Sequence, residues 1–339
     1  MPPRHDAPQL RIDPLTGRPV SVAASRWDRP TDLADGNHFA AGGVCPFCPG
    51  QEEATPPASL VTSGDHGWQV RIVANKYPAF VPLDGPSPPT TTTEEQAAPP
   101  AAGLHEVVIE TPRHVESFSE LTSDEAIAAL LAYRQRLRQL AADGRWKYAV
   151  LFKNVGVQAG ASLMHAHSQI VALPEAPPEV AATDAAARRF HQRHGQTFWQ
   201  AERLREASTR VRMVRETSHF AAWCPYASRH PYEVLILPKD SGPSFANADD
   251  NALADCAGLL QWLVRRLESM APNVSYNWIV RTCPLTDGPH DHYDWHVELL
   301  PRLTRFAGYE LATGGAINPL SPEAAARRYR EEAGSAASS

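Results

Sequence analysis

Residues 160–173 read Gly160-Ala161-Ser162-Leu163-Met164-His165-Ala166-His167-Ser168-Gln169-Ile170-Val171-Ala172-Leu173, a small-residue turn running into polar alternation and then an apolar run. Alternation of period two is that of a strand, so His165, His167 and Gln169 are expected to share one face. Outward from this segment, residues 70–73, 106–110 and 148–152 are rich in β-formers and bounded by breakers, which predicts three more strands. Residues 124–143 carry the apolar spacing of an amphipathic helix, with Ser123 placed as its N-cap. The same order recurs as strand-like runs at 211–214 and 233–237, a helix over 248–270, and strands at 276–280 and 295–300. The expected fold class is α+β: two tandem copies, each a mainly antiparallel sheet with flanking helices. Residues 1–179 would form the first copy, 180–209 a connecting helix, 210–332 the second copy and 333–339 a disordered tail. Residues 81–102, rich in Pro, Thr and Ala without apolar period, read as a surface loop.

A chain of 339 residues exceeds the size at which one core stops growing, in keeping with a duplication. Hydrophobic residues at 43% and charged residues at 21% place it among soluble globular proteins. A net charge of -6 gives no chain-wide attraction for nucleic acid or anionic membrane, so phosphate binding must be local. The N-terminus lacks the apolar core of a secretory signal and no stretch is long enough for a membrane span, so a cytoplasmic location is expected. Five cysteines, of which only Cys45 and Cys48 lie close together, do not make a disulfide framework. Cys224, Cys256 and Cys283 are expected to be small buried residues.

The chemistry centres on the histidines. Imidazole attacks phosphorus when neutral, and its ordinary pKa leaves it largely neutral at cellular pH. Gly160, Ala161 and Ser162 let backbone N–H groups approach an anion. Cys45-Pro46-Phe47-Cys48 is a C-x-x-C knuckle set among Gly and Pro rather than between a strand and a helix, which favours zinc over redox chemistry; two further donors must come from elsewhere.

Gly-Ala-Ser-x-x-His-x-His-Ser-Gln followed by an apolar strand resembles the active-site motif of the histidine-triad superfamily, in its galactose-1-phosphate uridylyltransferase branch. Further matches run along the chain. They are Asp13-Pro14-Leu15-Thr16-Gly17 with Ser25-Arg26-Trp27-Asp28-Arg29-Pro30, Val70 through Ala79, Asn154-Val155-Gly156, Trp295 through Leu303, and Ala307-Gly308-Tyr309-Glu310 leading to Ile317-Asn318-Pro319. The resemblance implies two histidine-triad-like domains, His167 as nucleophile, and Gln169 where hydrolytic branches carry a third histidine. Glutamine can hold a phosphoryl oxygen but cannot exchange a proton, which favours transfer over hydrolysis. By the same resemblance Arg26 and Arg29 lie near the phosphates and Asn75 and Tyr77 face the nucleoside. Asn154, Gly160 and Ser162 would hold phosphate, and Glu310 would grip sugar hydroxyls. His114 and His165 would complete a structural zinc site with Cys45 and Cys48.

The implied reaction moves UMP from UDP-glucose to a hexose 1-phosphate such as galactose 1-phosphate through uridylyl-His167. The implied partners are therefore these small molecules, and the assembly a homodimer that shares its active sites. Two departures unsettle the choice of substrate: Asp294 stands where histidine is expected, and residues 311–316 lack aromatics. A second metal at His290, His292, Asp294 and His296 is accordingly not expected. One alternative is an adenylyl transferase or phosphorylase acting on ADP-glucose or a dinucleoside polyphosphate. Another is a non-catalytic zinc protein that binds nucleotide or RNA, for which the basic, aromatic-rich face is missing.

Overall fold

The computed structural model describes residues 8–27, 44–64, 67–82, 101–240, 242–286 and 288–331. A ten-stranded sheet runs through it. The first five strands are β3 (Ala58–Gly64), β4 (Gly67–Ala74), β5 (Leu104–Ile109), β6 (Tyr148–Val155) and β7 (His167–Leu173). The second five are β8 (Met213–Glu216), β9 (Phe220–Trp223), β10 (Val234–Pro238), β11 (Tyr276–Arg281) and β12 (His296–Pro301). A small separate sheet holds β1 (Gln9–Ile12), β2 (Pro19–Val22) and β13 (Ala316–Asn318).

The order across the large sheet is β3-β4-β5-β7-β6-β11-β12-β10-β9-β8. Read inward from either edge, the strands follow one sequence: first, second, third, fifth, fourth. The two copies are thus related by an approximate twofold axis at the antiparallel β6–β11 pair, where Asn154 faces Asn277. All neighbouring pairs of this sheet are antiparallel. The expected α+β duplication is present, with the two copies' sheets fused edge to edge into one layer.

Each copy places one long helix between its third and fourth strands: α1 (Ser123–Asp143) and α4 (Asp250–Met270). They pack side by side on one face of the sheet. Leu253, Leu260, Leu263, Val264 and Leu267 of α4 are buried, at roughly 1.5–3 kcal/mol each by transfer from water. The cap of α1 is Thr122, one residue before the expected Ser123. Its hydroxyl accepts from Glu125 N (3.2 Å) while the Glu125 carboxylate accepts from Thr122 N (2.8 Å), a reciprocal pair that Ser123 cannot make.

The connection between the copies is two helices, not one: α2 (Pro178–His194) and α3 (Phe198–Thr209). Gly195, at φ +68°, caps α2, and the Thr197 hydroxyl restarts the chain by accepting from Gln200 N. Two short helices follow later, α5 (Gly308–Thr313) and α6 (Pro322–Arg330). Most of residues 81–102 and all of 333–339 lie outside the described residues. No helix among the described residues is long and apolar enough to cross a membrane.

Candidate active site

α1 and α4 cover one face of the sheet, and the candidate site lies on the opposite face. On β7, His167 and Gln169 point to it. Its β5 neighbours there are Ile109, opposite His167, and Val107, opposite Gln169. Asn154 on β6 lies one position beyond the Lys153–Ser168 pair and so faces His167. His165 sits in the turn before β7 rather than on it, so the expected shared face holds for His167 and Gln169 only.

The turn ties His167 to the knuckle. His165 Nε2 donates to Thr111 O (2.8 Å), which leaves Nδ1 as a lone pair directed at the cysteines. Cys45 Sγ and Cys48 Sγ lie 3.6 and 3.7 Å from that atom, and Cys48 Sγ lies 3.3 Å from His114 Nδ1. Tetrahedral zinc with Zn–S near 2.3 Å and Zn–N near 2.05 Å separates sulfur and nitrogen donors by about 3.6 Å. All four donor atoms lie within 4.8 Å of one another, so the group expected from the sequence is assembled and fits a metal ion. Phe47, buried inside the knuckle, packs edge-on against His165 and His167.

His167 is held next. Its Nδ1 donates to His165 O (2.7 Å), which leaves Nε2 as the lone pair, without a hydrogen bond among the described residues. Burial, aided by the Lys153 ammonium, pushes its pKa down to about 4, so the ring is neutral at pH 7. Behind the strand, Lys153 Nζ donates to His167 O (3.1 Å) and to Glu110 (2.6 Å), both ions fully buried. The same Glu110 carboxylate accepts from Tyr133 and Ser168 hydroxyls, each at 2.5 Å.

His105 on β5 was not legible as a site residue. Its Nε2 lies 2.7 Å from Gln169 Oε1, and its Nδ1 accepts from Ala79 N (3.1 Å). A backbone N–H can only donate, so His105 must carry its proton on Nε2 and donate to Gln169 Oε1. That leaves the Gln169 NH2 pointing away as donor. Asn154 is set in the same way: Asn277 Nδ2 donates to Asn154 Oδ1 (2.8 Å), and Arg302 Nε donates to Asn277 Oδ1 (2.5 Å). Both amides therefore keep their NH2 groups as donors, that of Asn154 lying beside Gly160. Gly156 ends β6 at φ +78°, where a Cβ would come within 2.9 Å of Ser275 Cβ, so the turn to the Gly160–Ser162 segment requires glycine.

The remaining expected residues lie as follows. Asn75 Oδ1 accepts from Tyr77 N, its Nδ2 is 3.2 Å from His105 Nε2, and Tyr77 is exposed. Gly160, Ser162 and Arg26 are at the surface, and Arg29 lies outside the described residues. Asp13 serves a turn, its carboxylate accepting from Leu15 N, Thr16 N and the Thr16 hydroxyl between β1 and β2. Glu310 is buried in the first turn of α5, one oxygen accepting from Ala307 N (2.9 Å).

The second copy has a degenerate counterpart. His296 Nδ1 donates to Asp294 O (2.9 Å), the same bond that fixes His167, so Asp294-x-His296-x-Glu298 stands where the first copy has His165-x-His167-x-Gln169. Arg281 lies opposite His296 as Asn154 lies opposite His167. Here ion pairs fill the face: Glu298 meets Arg281 at 3.1 Å and Arg229 at 3.4 Å. Burial alone would raise Glu298, but the two guanidiniums outweigh it and hold the carboxyl far below its usual range. Asp294 accepts from the Thr197 hydroxyl and Gly242 N instead of binding an ion with cysteines. A cavity of about 220 Å³ lies over this second copy, against Arg281, His296 and Glu298, not over His167.

A neutral, backbone-anchored imidazole between two oriented amides, braced by a Cys2His2 group on a duplicated antiparallel sheet, defines a nucleotidyltransferase of the histidine-triad superfamily. The chain belongs to the galactose-1-phosphate uridylyltransferase family, whose N-terminal domain model matches residues 2–177. It is 33% identical over 333 residues to an ADP-glucose phosphorylase of Arabidopsis thaliana, covering 96% of this chain and 93% of that one. It is 27% identical over 331 residues to a galactose-1-phosphate uridylyltransferase of Thermotoga maritima, covering 95% and 98%. The crystal structure of an Arabidopsis thaliana ADP-glucose phosphorylase with bound ADP-glucose superposes with a TM-score of 0.82, at 32% identity over 96% of this chain and all of that one.

Proposed function

We propose that the chain transfers a nucleoside monophosphate from a nucleoside-diphosphate sugar by ping-pong chemistry through His167, and that its reaction moves UMP from UDP-glucose to galactose 1-phosphate. The carrying observation is the free, neutral Nε2 of His167 beside two amides whose oxygens are already occupied. Nε2 attacks the α-phosphorus, a P–N bond forms, and the bond to the bridging oxygen breaks to release glucose 1-phosphate. An acceptor phosphate oxygen then attacks the same phosphorus and returns the electron pair to Nε2. The NH2 groups of Gln169 and Asn154, with Arg26 and Arg29, offset charge on the non-bridging oxygens. The Cys45, Cys48, His114 and His165 group holds zinc, which in this reading is structural: it supplies rigidity to the turn whose carbonyl orients His167. Glu310 contacts the acceptor sugar, in a site shared within a homodimer.

A second reading exchanges the nucleoside and the acceptor: AMP from ADP-glucose to inorganic phosphate. It is favoured by the 33% identity to a phosphorylase named for ADP-glucose, and by Asp294 and residues 311–316 in the half that chooses the acceptor. Incubation with UDP-glucose or ADP-glucose in the absence of acceptor, followed by intact-mass measurement, separates the two. A uridylyl adduct supports the first reading, an adenylyl adduct alone supports the second, and no adduct with either sinks both.

His105 is a positioning residue in this scheme. His105→Phe is expected to lower kcat roughly tenfold to a hundredfold with little change in KM, as for other groups that orient a reacting residue. His105→Gln, which can still donate to Gln169, should recover part of the loss. Equal kcat in both variants and the parent would remove His105 from the mechanism.

A further inference from the structure

We propose that Asp184, His290 and His292 form a second metal site, binding a first-row divalent cation between α2 and the loop that joins β11 to β12. The set differs from the four residues weighed from the sequence. Asp294 is committed to Thr197 and Gly242 N, and His296 lines the cavity over the second copy. The structure instead brings in Asp184, 108 positions from His292 in the sequence.

Three observations carry it. The ligand atoms of Asp184, His290 and His292 all lie within 4.8 Å of one another. His290 Nε2 donates to Thr286 O (3.0 Å), which fixes the tautomer and leaves Nδ1 as a lone pair. That Nδ1 is buried and has no hydrogen-bond partner among the described residues, an unmet desolvation cost that a cation would relieve. His292 is 3% exposed, and its Nε2 lies 2.7 Å from Asp184 Oδ1. Donors at right angles around an octahedral ion with bonds of about 2.1 Å stand about 3.0 Å apart, so a small opening of this pair admits the metal. The other carboxylate oxygen faces Arg188 at a long 3.4 Å, which leaves Oδ1 for the ion.

Two imidazoles and one carboxylate suit zinc, iron(II), manganese or cobalt and leave open positions for water. Binding through Nε2 would replace the hydrogen bond that His292 makes to Asp184, the ring proton then residing on Nδ1. The ion would clamp α2 to the loop that leads into Tyr293. Both elements contribute walls to the 220 Å³ cavity, through Thr183 and Tyr293, so the clamp sets the shape of that cavity. This inference does not depend on the identity of the substrate.

Full-length, tag-free protein is equilibrated with cobalt(II), freed of excess metal and assayed for metal per chain and for absorption. The expected result is two ions in the parent chain, one with intense thiolate-to-cobalt charge transfer and one without. His290→Ala and Asp184→Asn should each retain one ion and the full charge-transfer band. Cys45→Ser should lose the band and keep the second ion. One ion per chain in the parent, or two ions persisting in both His290→Ala and Asp184→Asn, overturns the proposal. If Cys45→Ser does not fold, the stoichiometry of parent, His290→Ala and Asp184→Asn decides, because His290 lies partly at the surface and its loss leaves the core intact.

Discussion

His167→Ala is expected to abolish turnover, with a fall of at least about 10⁴-fold in kcat and no covalent nucleotide on the protein. The effect should be this large because no neighbouring group can replace Nε2. His165 is committed through Nδ1 to the cysteine pair and through Nε2 to Thr111 O. Gln169 has no nucleophilic nitrogen, and Lys153 lies behind the strand, locked to Glu110. Stability and metal content should change little, since the lost side chain makes one hydrogen bond, to His165 O. Steady-state rates with either nucleotide sugar, paired with intact mass, test this. Retention of even a hundredth of parental turnover would refute His167 as nucleophile.

Lys153→Met is expected to be the most damaging single substitution for stability, costing about 3–5 kcal/mol. The ammonium and the Glu110 carboxylate are both fully buried at 2.6 Å, and removing the cation strands the anion. Burial pushes the Lys153 pKa down and the carboxylate pushes it back up. Lys153→Met also releases His167 O, so activity should fall with stability. The double variant Lys153→Met/Glu110→Gln should lose less than Lys153→Met alone, because no uncompensated charge remains. Denaturant midpoints for the parent and the two variants provide the check. A double variant as unstable as the single one would mean that packing, not charge, sets the penalty.

The parts of this architecture visible in the sequence are those written in local pattern. The alternation of β7, the apolar spacing of α1 and α4 and the knuckle at Cys45 and Cys48 each depend on residues close along the chain. What escaped depends on distant pairings. His105 precedes an apolar strand and reads as an ordinary polar flank; its meaning appears only when β5 lies against β7 and Gln169, 64 positions away, comes within 2.7 Å. Lys153 and Glu110 look like solvent-facing strand charges until α1 closes over them. The degenerate motif at Asp294, His296 and Glu298 was hidden because two of its three residues changed while the backbone bond at His296 survived. The break between α2 and α3 was missed because residues 180–208 are helix-forming throughout except at Gly195-Gln196-Thr197.

The β6–β11 seam also bears on whether the copies can live apart. Inside the sheet, β6 pairs on both sides, with β7 through residues 148–153 and with β11 through residues 151–155. Cutting the chain between the copies would leave β6 and β11 each with a bare row of N–H and C=O groups flanked by buried apolar residues. Such a strand recruits another chain and aggregates. The second copy thus acts as an edge guard for the first: its β11 covers the row of N–H and C=O groups that β6 would otherwise present to other chains.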